Sequence, residues 1–153
     1  MFSIMDGMEK RVGAGVGVLL LRGDKVLLGK RHSDPEKASS ELHGEGTWCI
    51  PGGKIDFGET LSGAACREVL EETDIEADPS SLEIVSVSSD VAYDAHFVTI
   101  GFVCHNFQGE PRLMEPDEIV EWQWFSLDVL PDPMFFPSLR VIENYLNKRL
   151  FTG

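Results

Sequence analysis

The sequence predicts an α/β sandwich built around a mixed β-sheet. Three observations predict it. β-rich apolar segments recur along the chain between turn signals. Two helical segments, near residues 60–73 and 137–146, lie far apart with strands between them. The first strand is apolar on both faces, as a strand covered on both sides must be.

That strand is Val12 to Leu21, Val-Gly-Ala-Gly-Val-Gly-Val-Leu-Leu-Leu. Its glycines weaken it and mark close approach by backbone or ligand. Arg22-Gly-Asp-Lys25 is a turn, and Val26 to Arg31 returns as the second strand of a hairpin. Residues 32–46 are polar and aperiodic, a long loop that reads equally as a binding loop or as a surface insertion. Trp48-Cys-Ile50 is a short strand ending at Pro51-Gly52-Gly53. Thr60 is placed as the N-cap of a helix running to Thr73, with Ala65, Cys66, Val69 and Leu70 as its apolar stripe. Leu82 to Val87, Phe97 to Cys104 and Glu121 to Phe125 read as strands. Pro137-Ser138 opens the last helix, with Leu139, Ile142, Tyr145 and Leu146 spaced to face a core.

The chain of 153 residues has no repeat, linker or low-complexity tract, and reads as one domain over 1–153 with 1–10 as a loose N-terminal segment. No run of 18 apolar residues suggests a membrane span, and the N-terminus lacks the basic and apolar regions of a signal peptide. Three cysteines, Cys49, Cys66 and Cys104, form no Cys-x-x-Cys pair, which points to reduced thiols and a cytoplasmic location. The four histidines show no zinc-ligand spacing. A net charge of −13 argues against nucleic-acid binding. It reads either as a solvated acidic surface or, in part, as carboxylates that hold cations. A homodimer is also open: Leu19, Leu21 and Phe97 suit an interface as well as a core.

The chemistry concentrates in Arg67-Glu68-Val69-Leu70-Glu71-Glu72. On a helix Glu68, Glu71 and Glu72 share one face, because positions i, i+3 and i+4 are neighbours. Like charges so placed repel, and either water or a cation must offset that. Mg²⁺ is the hard cation that suits clustered carboxylate oxygens. A solvated face is the alternative for the helix taken alone. Upstream, Pro51-Gly52-Gly53 lets backbone approach a ligand, and Glu59 stands eight residues before Arg67, a spacing that suits a loop-to-helix ion pair.

Taken together, Gly53, five residues, Glu59, seven residues, then Arg67-Glu68-Val69-Leu70-Glu71-Glu72-Thr73-Asp74-Ile75 resembles the Nudix box. Six of the seven fixed glycine and charged positions and both apolar positions match; Asp74 stands where the box has its second glycine. Asp tolerates the left-handed conformation that such a helix end requires, at some cost. The resemblance extends across nearly the whole chain and implies a Nudix fold, an α/β/α sandwich, with MutT-like nucleotide pyrophosphatase activity. It implies Glu68 and Glu72 as main Mg²⁺ ligands, with Mn²⁺ as a possible substitute. Glu71 becomes a ligand or a water-orienting group, and the Gly52 carbonyl completes the shell. Glu118 takes the place of a further loop carboxylate, with Glu115 and Glu121 as rivals. Arg67 and Glu59 support the catalytic glutamates, and Glu68 or Glu71 is the general base. Lys54 matches a lysine of some members and is expected at phosphate. Met134-Phe-Phe-Pro-Ser-Leu-Arg140 resembles a base-contacting segment, so Phe135, Phe136 and Arg140 are expected to touch the substrate, or else to serve as core and surface residues. The expected substrate is a small nucleotide, foremost a nucleoside or deoxynucleoside triphosphate. ADP-ribose, nucleotide sugars and dinucleoside polyphosphates are alternatives. A non-catalytic nucleotide sensor of the same fold is a further alternative, but its expected mark is loss of box glutamates, and all four are present.

Overall fold

A computed structural model describes residues 4–5, 8–38 and 42–153, with side chains from residue 10 onward. In chain order the elements begin with β1 (Ile4–Met5), β2 (Met8–Glu9), β3 (Val12–Arg22), β4 (Lys25–Arg31) and a single turn of helix α1 (Pro35–Ala38). They continue with β5 (Trp48–Cys49), β6 (Gly52–Lys54), α2 (Leu61–Thr73) and β7 (Glu76–Ala77). A short 3₁₀ turn at Pro79–Ser81 leads to β8 (Glu83–Ala92), β9 (Ala95–Cys104), β10 (Phe107–Gln108) and β11 (Ile119–Ser126). The last elements are α3 (Phe136–Asn147) and β12 (Phe151–Thr152).

The main sheet runs β11-β4-β3-β9-β8-β12, with β5 on β4 and β6 on β3. It is mixed: β3 and β9 are parallel, whereas β3–β4, β4–β11 and β8–β9 are antiparallel. Side chains alternate across β3, so one strand feeds two cores. Val16, Val18 and Leu20 pack with Ala64, Ala65 and Val69 of α2. Leu19 and Leu21 pack with Val141 and Ile142 of α3. The two helices therefore cover opposite faces, which makes the α/β/α sandwich. Leu19 and Leu21 are core residues of this chain.

The α2 helix starts as its sequence dictates: the Thr60 hydroxyl accepts the Gly63 amide at 2.9 Å. Its apolar stripe differs from the expected one. The buried residues are Ala64, Ala65, Val69, Glu72 and Thr73, while Leu70 is 44% exposed and Cys66 lies at the margin. The inward arc is rotated toward Glu72, so a carboxylate takes the place expected for Leu70. In α3 Ile142 is buried as expected, but Val141 and Asn144 join it and Leu146 is 49% exposed.

Several strands run further than expected, among them β8, β9 and β11. β8 and β9 form one hairpin whose turn, Tyr93-Asp94, takes positive φ at both residues. The polar residues Ser88 and Asp90 do not end β8, because α3 covers that face of it. In the first ten residues, β1 and β2 pair as a two-residue ribbon. Residues 1–3 and 6–7 of the segment expected to be loose lie outside the described residues, as do residues 39–41 of the long loop.

Candidate active site

A cleft of about 760 Å³ opens where β6, α2, the 32–47 loop and the start of α3 converge on the glycines of β3. One wall is carboxylate. Glu68, Glu71 and Glu72 come from α2, and Glu115 and Glu118 from the loop before β11. Phe135, Pro137, Ser138 and Val141 from the start of α3 and Phe97 and Thr99 of β9 line the cleft as well.

The close approach of backbone to α2 depends on Gly53. A methyl group there would stand 2.5 Å from Glu68 Oε1. The neighbouring Gly52 amide donates to Glu72 Oε1 at 2.8 Å. This backbone bond fixes Glu72 against the turn. The observed contact of Gly52 with the cluster is through its N–H.

The three α2 glutamates differ in environment. The Glu72 side chain is nearly enclosed and Glu68 is 14% exposed, whereas Glu71 is 55% exposed. Burial pushes the Glu72 carboxyl well above its usual range; the Gly52 amide pulls it down, and Glu68, Glu115 and Glu118 push it further up. Burial also raises Glu68, against the pull of Arg67 and with a push from Glu71. Glu115 is raised by burial, then by Glu118, Glu68 and Glu71. These directions describe carboxylates crowded close enough to oppose each other's ionisation.

Arg67 organises the cluster. Its Nε donates to Glu59 Oε2 at 2.7 Å and its Nη2 to Glu59 Oε1 at 2.9 Å. Nη2 also donates to the Lys54 carbonyl at 3.0 Å. Nη1 reaches Glu68 Oε1 at 3.0 Å and Glu71 Oε2 at 3.2 Å. Glu59 in turn accepts the Asp56 amide at 2.8 Å. The expected loop-to-helix pair between Glu59 and Arg67 is therefore present, and it ties the turn to two glutamates as well. Past the cluster, Asp74 adopts φ 62° and ψ 19°, and its N–H donates to the Leu70 carbonyl. This is the left-handed cap expected where the box has glycine.

The set of donors fits a divalent cation. Mg²⁺ takes carboxylate oxygens readily, and a positive charge would relieve both the burial and the mutual repulsion of these groups. Among the described residues, no three His, Cys, Asp or Glu side chains stand preassembled around a metal. Glu68 is turned to Arg67 and Glu72 to the Gly52 amide, so neither has its nearest oxygen free.

The remaining expected residues divide. Lys54 lines the cleft, with its Nζ 5.8 Å from the centre of the Phe97 ring. Phe135 lines it too, beneath the Arg31 guanidinium at 4.7 Å. Phe136 and Arg140 do not line it: Phe136 begins α3, and Arg140 Nε pairs with Asp90 Oδ1 at 2.7 Å. Glu118 and its rival Glu115 both line the cleft, whereas Glu121 is exposed on β11 away from it. Arg31, Cys49, Thr99 and Ser138 are cleft residues that the sequence does not single out. For Arg31 one signal exists, a basic pair ending an otherwise apolar strand. Its guanidinium donates to the Gly44 carbonyl at 3.0 Å and to the Ala38 carbonyl, which fastens the 32–47 loop over the cleft.

Comparison with known proteins agrees with this geometry. The family model described as NUDIX domain matches residues 11–145. An ADP-ribose pyrophosphatase of Methanocaldococcus jannaschii is 31% identical over 84% of this chain and 69% of its own length. An oxidized purine nucleoside triphosphate hydrolase of Danio rerio is 30% identical over 89% of this chain and 85% of its own. The crystal structure of a MutT NUDIX hydrolase from Burkholderia pseudomallei is 33% identical and superimposes with a TM-score of 0.77, covering 88% of this chain and 98% of that one.

Proposed function

The chain belongs to the Nudix family of hydrolases, and from that premise we propose that it converts a nucleoside or deoxynucleoside triphosphate to the monophosphate and pyrophosphate with Mg²⁺. One observation carries the proposal. A single cleft is lined both by the carboxylates of α2 and of the loop before β11 and by an aromatic ring under a guanidinium. The carboxylates suit a cation with a polyphosphate, and the ring a base.

Nudix hydrolases generally use divalent cations. Glu68, Glu71 and Glu72 would hold the ion, with Glu118 or Glu115 from the loop and the Gly52 carbonyl. When bound, Mg²⁺ neutralises phosphate oxygens and lowers the pKa of water, and Mn²⁺ offers the same chemistry. Glu68 or Glu71 takes the proton of the attacking water. Arg67 holds Glu68 and Glu71 in line, and Glu59 holds Arg67. Lys54 and Arg31 supply positive charge along the cleft, and Phe135 presents its ring to the base.

A second reading, ADP-ribose hydrolysis, is favoured by the name of the Methanocaldococcus relative. A panel of triphosphates, ADP-ribose, nucleotide sugars and dinucleoside polyphosphates with Mg²⁺ separates the two. The proposal expects pyrophosphate release from triphosphates. If ADP-ribose turns over and no triphosphate does, the second reading replaces it.

A further inference from the structure

Along β8 the usual alternation is inverted. Ser86, Ser88 and Asp90 are buried on the α3 side, while Val87 is half-buried and Val91 74% exposed on the other. A strand with one open face normally turns its apolar residues to the core. Here the valines take the open side. The register carries that side across the sheet, because paired residues project to the same face. Val87, Ser89 and Val91 stand opposite Ile100, Val98 and His96 of β9. His96 and Val98 in turn pair with Val12 and Ala14 of β3, and Phe151 of β12 pairs with Val87.

The α2 helix covers this side of the sheet over β3, where it packs on Val16, Val18 and Leu20. Val12 and Ala14 precede that contact and are exposed. Val87, Val91 and Val98 belong to neither core. None of the residues named on this face is charged, although the chain carries a net charge of −13. Its two polar side chains bond each other, Ser89 Oγ to His96 Nε2 at 3.0 Å. The face is therefore apolar in effect.

We propose that this face is the interface of a homodimer, with a second copy of the chain packed on it sheet to sheet. Charge selects the partner. Two copies of such an acidic chain repel each other over most of their surface and can approach through an uncharged patch. A face without Lys or Arg gives an anionic membrane no purchase, and a basic partner would seek the carboxylates elsewhere. The same apolar patch on both copies is self-complementary, as a two-fold interface requires. Its size suits a dimer. Phe57 and Leu61 are exposed and border the face, because they follow β6 on the far side of β3 from β9. Phe57 and the 60% exposed Phe151 together show about 300 Å², at about 200 Å² per ring. With Val12, Val91 and Leu61 the patch approaches the ~800 Å² that each partner of a stable complex buries. Leu19 and Leu21 are core and Phe97 lines the cleft, so the interface uses the opposite side of the same strands. The cleft stays open in the dimer, and the second copy backs the strands that form its floor.

The test is sedimentation of the full chain over a dilution series. The wild type should run at twice the 17.0 kDa of one chain. Val91→Asp places a charge against its own copy and should raise the dissociation constant at least about 100-fold, since facing like charges cost several kcal/mol. Val91 is exposed in the single chain, so the variant should still melt cooperatively; Phe151→Asp is the second variant and should act alike. Val129→Asp, matched in exposure at 72% but placed after β11 at the other edge of the sheet, should remain dimeric. A wild type that is monomeric at every concentration overturns the proposal. If that monomer binds a fluorescent apolar dye and Val91→Asp does not, the face belongs to another partner and the dimer is rejected. A dimer that survives both Val91→Asp and Phe151→Asp uses a different surface, and loss of the dimer in Val129→Asp shows an unspecific effect of charge; either outcome also overturns the proposal.

Discussion

Arg67 and Glu59 meet in a two-point ion pair, Nε to Oε2 at 2.7 Å and Nη2 to Oε1 at 2.9 Å, that joins the loop before α2 to its second turn. Only a planar fork makes both contacts and still reaches Glu68 and Glu71 with Nη1. Arg67→Lys should therefore leave the fold intact and lower kcat by up to roughly 100-fold, the scale of a misplaced catalytic group. Steady-state kinetics beside a melting curve check this, and an unchanged kcat would remove Arg67 from its positioning role.

The same pair predicts a pH effect on stability. Arg67 first, and then the Asp56 amide, hold the Glu59 carboxyl below the usual range. A depressed folded-state pKa contributes stability above the unfolded value and loses it as pH falls through the folded one. Glu59→Gln should therefore melt with a shallower dependence on pH across the acid range below about 4.3. Parallel melts of the two proteins supply the comparison.

Glu68→Gln and Glu72→Gln should each lower kcat by about 10²–10⁴-fold without unfolding the protein. Removing a buried charge at Glu72 also relieves its desolvation, so the variant should melt no lower than the wild type when Mg²⁺ is absent. Mg²⁺ at 100 times its dissociation constant should stabilise the wild type by about 2.7 kcal/mol and either variant by less. Turnover near the wild-type rate in either variant would contradict the assignment of these glutamates.

Asp74→Gly should raise stability. A non-glycine residue in the left-handed region costs roughly 1–2 kcal/mol, and the greater unfolded-chain entropy of glycine offsets part of the gain from removing it. The substitution removes one exposed ion pair, Arg112 Nη1 to Asp74 Oδ2 at 3.5 Å, which is of small worth. Urea unfolding should show a higher midpoint at an unchanged slope.

Cys49 gives the alkaline counterpart. Burial pushes its thiol from 9.0 up to about 12. The unfolded chain then releases this proton before the folded one does. This contribution to stability is full below pH 9 and is lost as pH rises from 9 toward 12. The loss amounts to at most about 1.4 kcal/mol per pH unit. Cys49→Ala should flatten that slope whatever it does to stability at neutral pH. Alkylation at mild alkaline pH should modify Cys66, the partly exposed thiol, well before Cys49.

The fold and half of the site can be read from the residues in order because their signals are local. Thr60 caps α2, Gly53 and Glu59 stand at fixed distances from Arg67, and three glutamates fall on one helical face. The departures have physical causes. Polarity alone puts Leu70 in the core and Glu72 outside it, yet the helix is rotated so that Glu72 packs inward against the Gly52 amide. Hydrophobicity reports the cost of burial and not what offsets it. Arg31 carries only the basic pair that ends its strand, and nothing marks Cys49, Thr99 and Ser138 as cleft residues, because a cleft wall is assembled from separate elements and no spacing along the chain records that. The sequence pattern ends β8 at Val87 because Ser88 and Asp90 read as an exit to solvent, when they lie under α3.

The alternation along β3 has a consequence for how the molecule comes apart. Because Leu20 serves one layer and Leu19 the other, neither helix can leave without unseating a strand that the other needs. Amide protons of β3 should exchange with deuterium only through global opening, at one shared rate on both faces. The 42–47 segment, fastened by the Arg31 guanidinium and a few backbone bonds, should exchange far sooner. The protein would then pair a cooperative frame with a locally opening rim, so nucleotide could come and go while the layers stay shut.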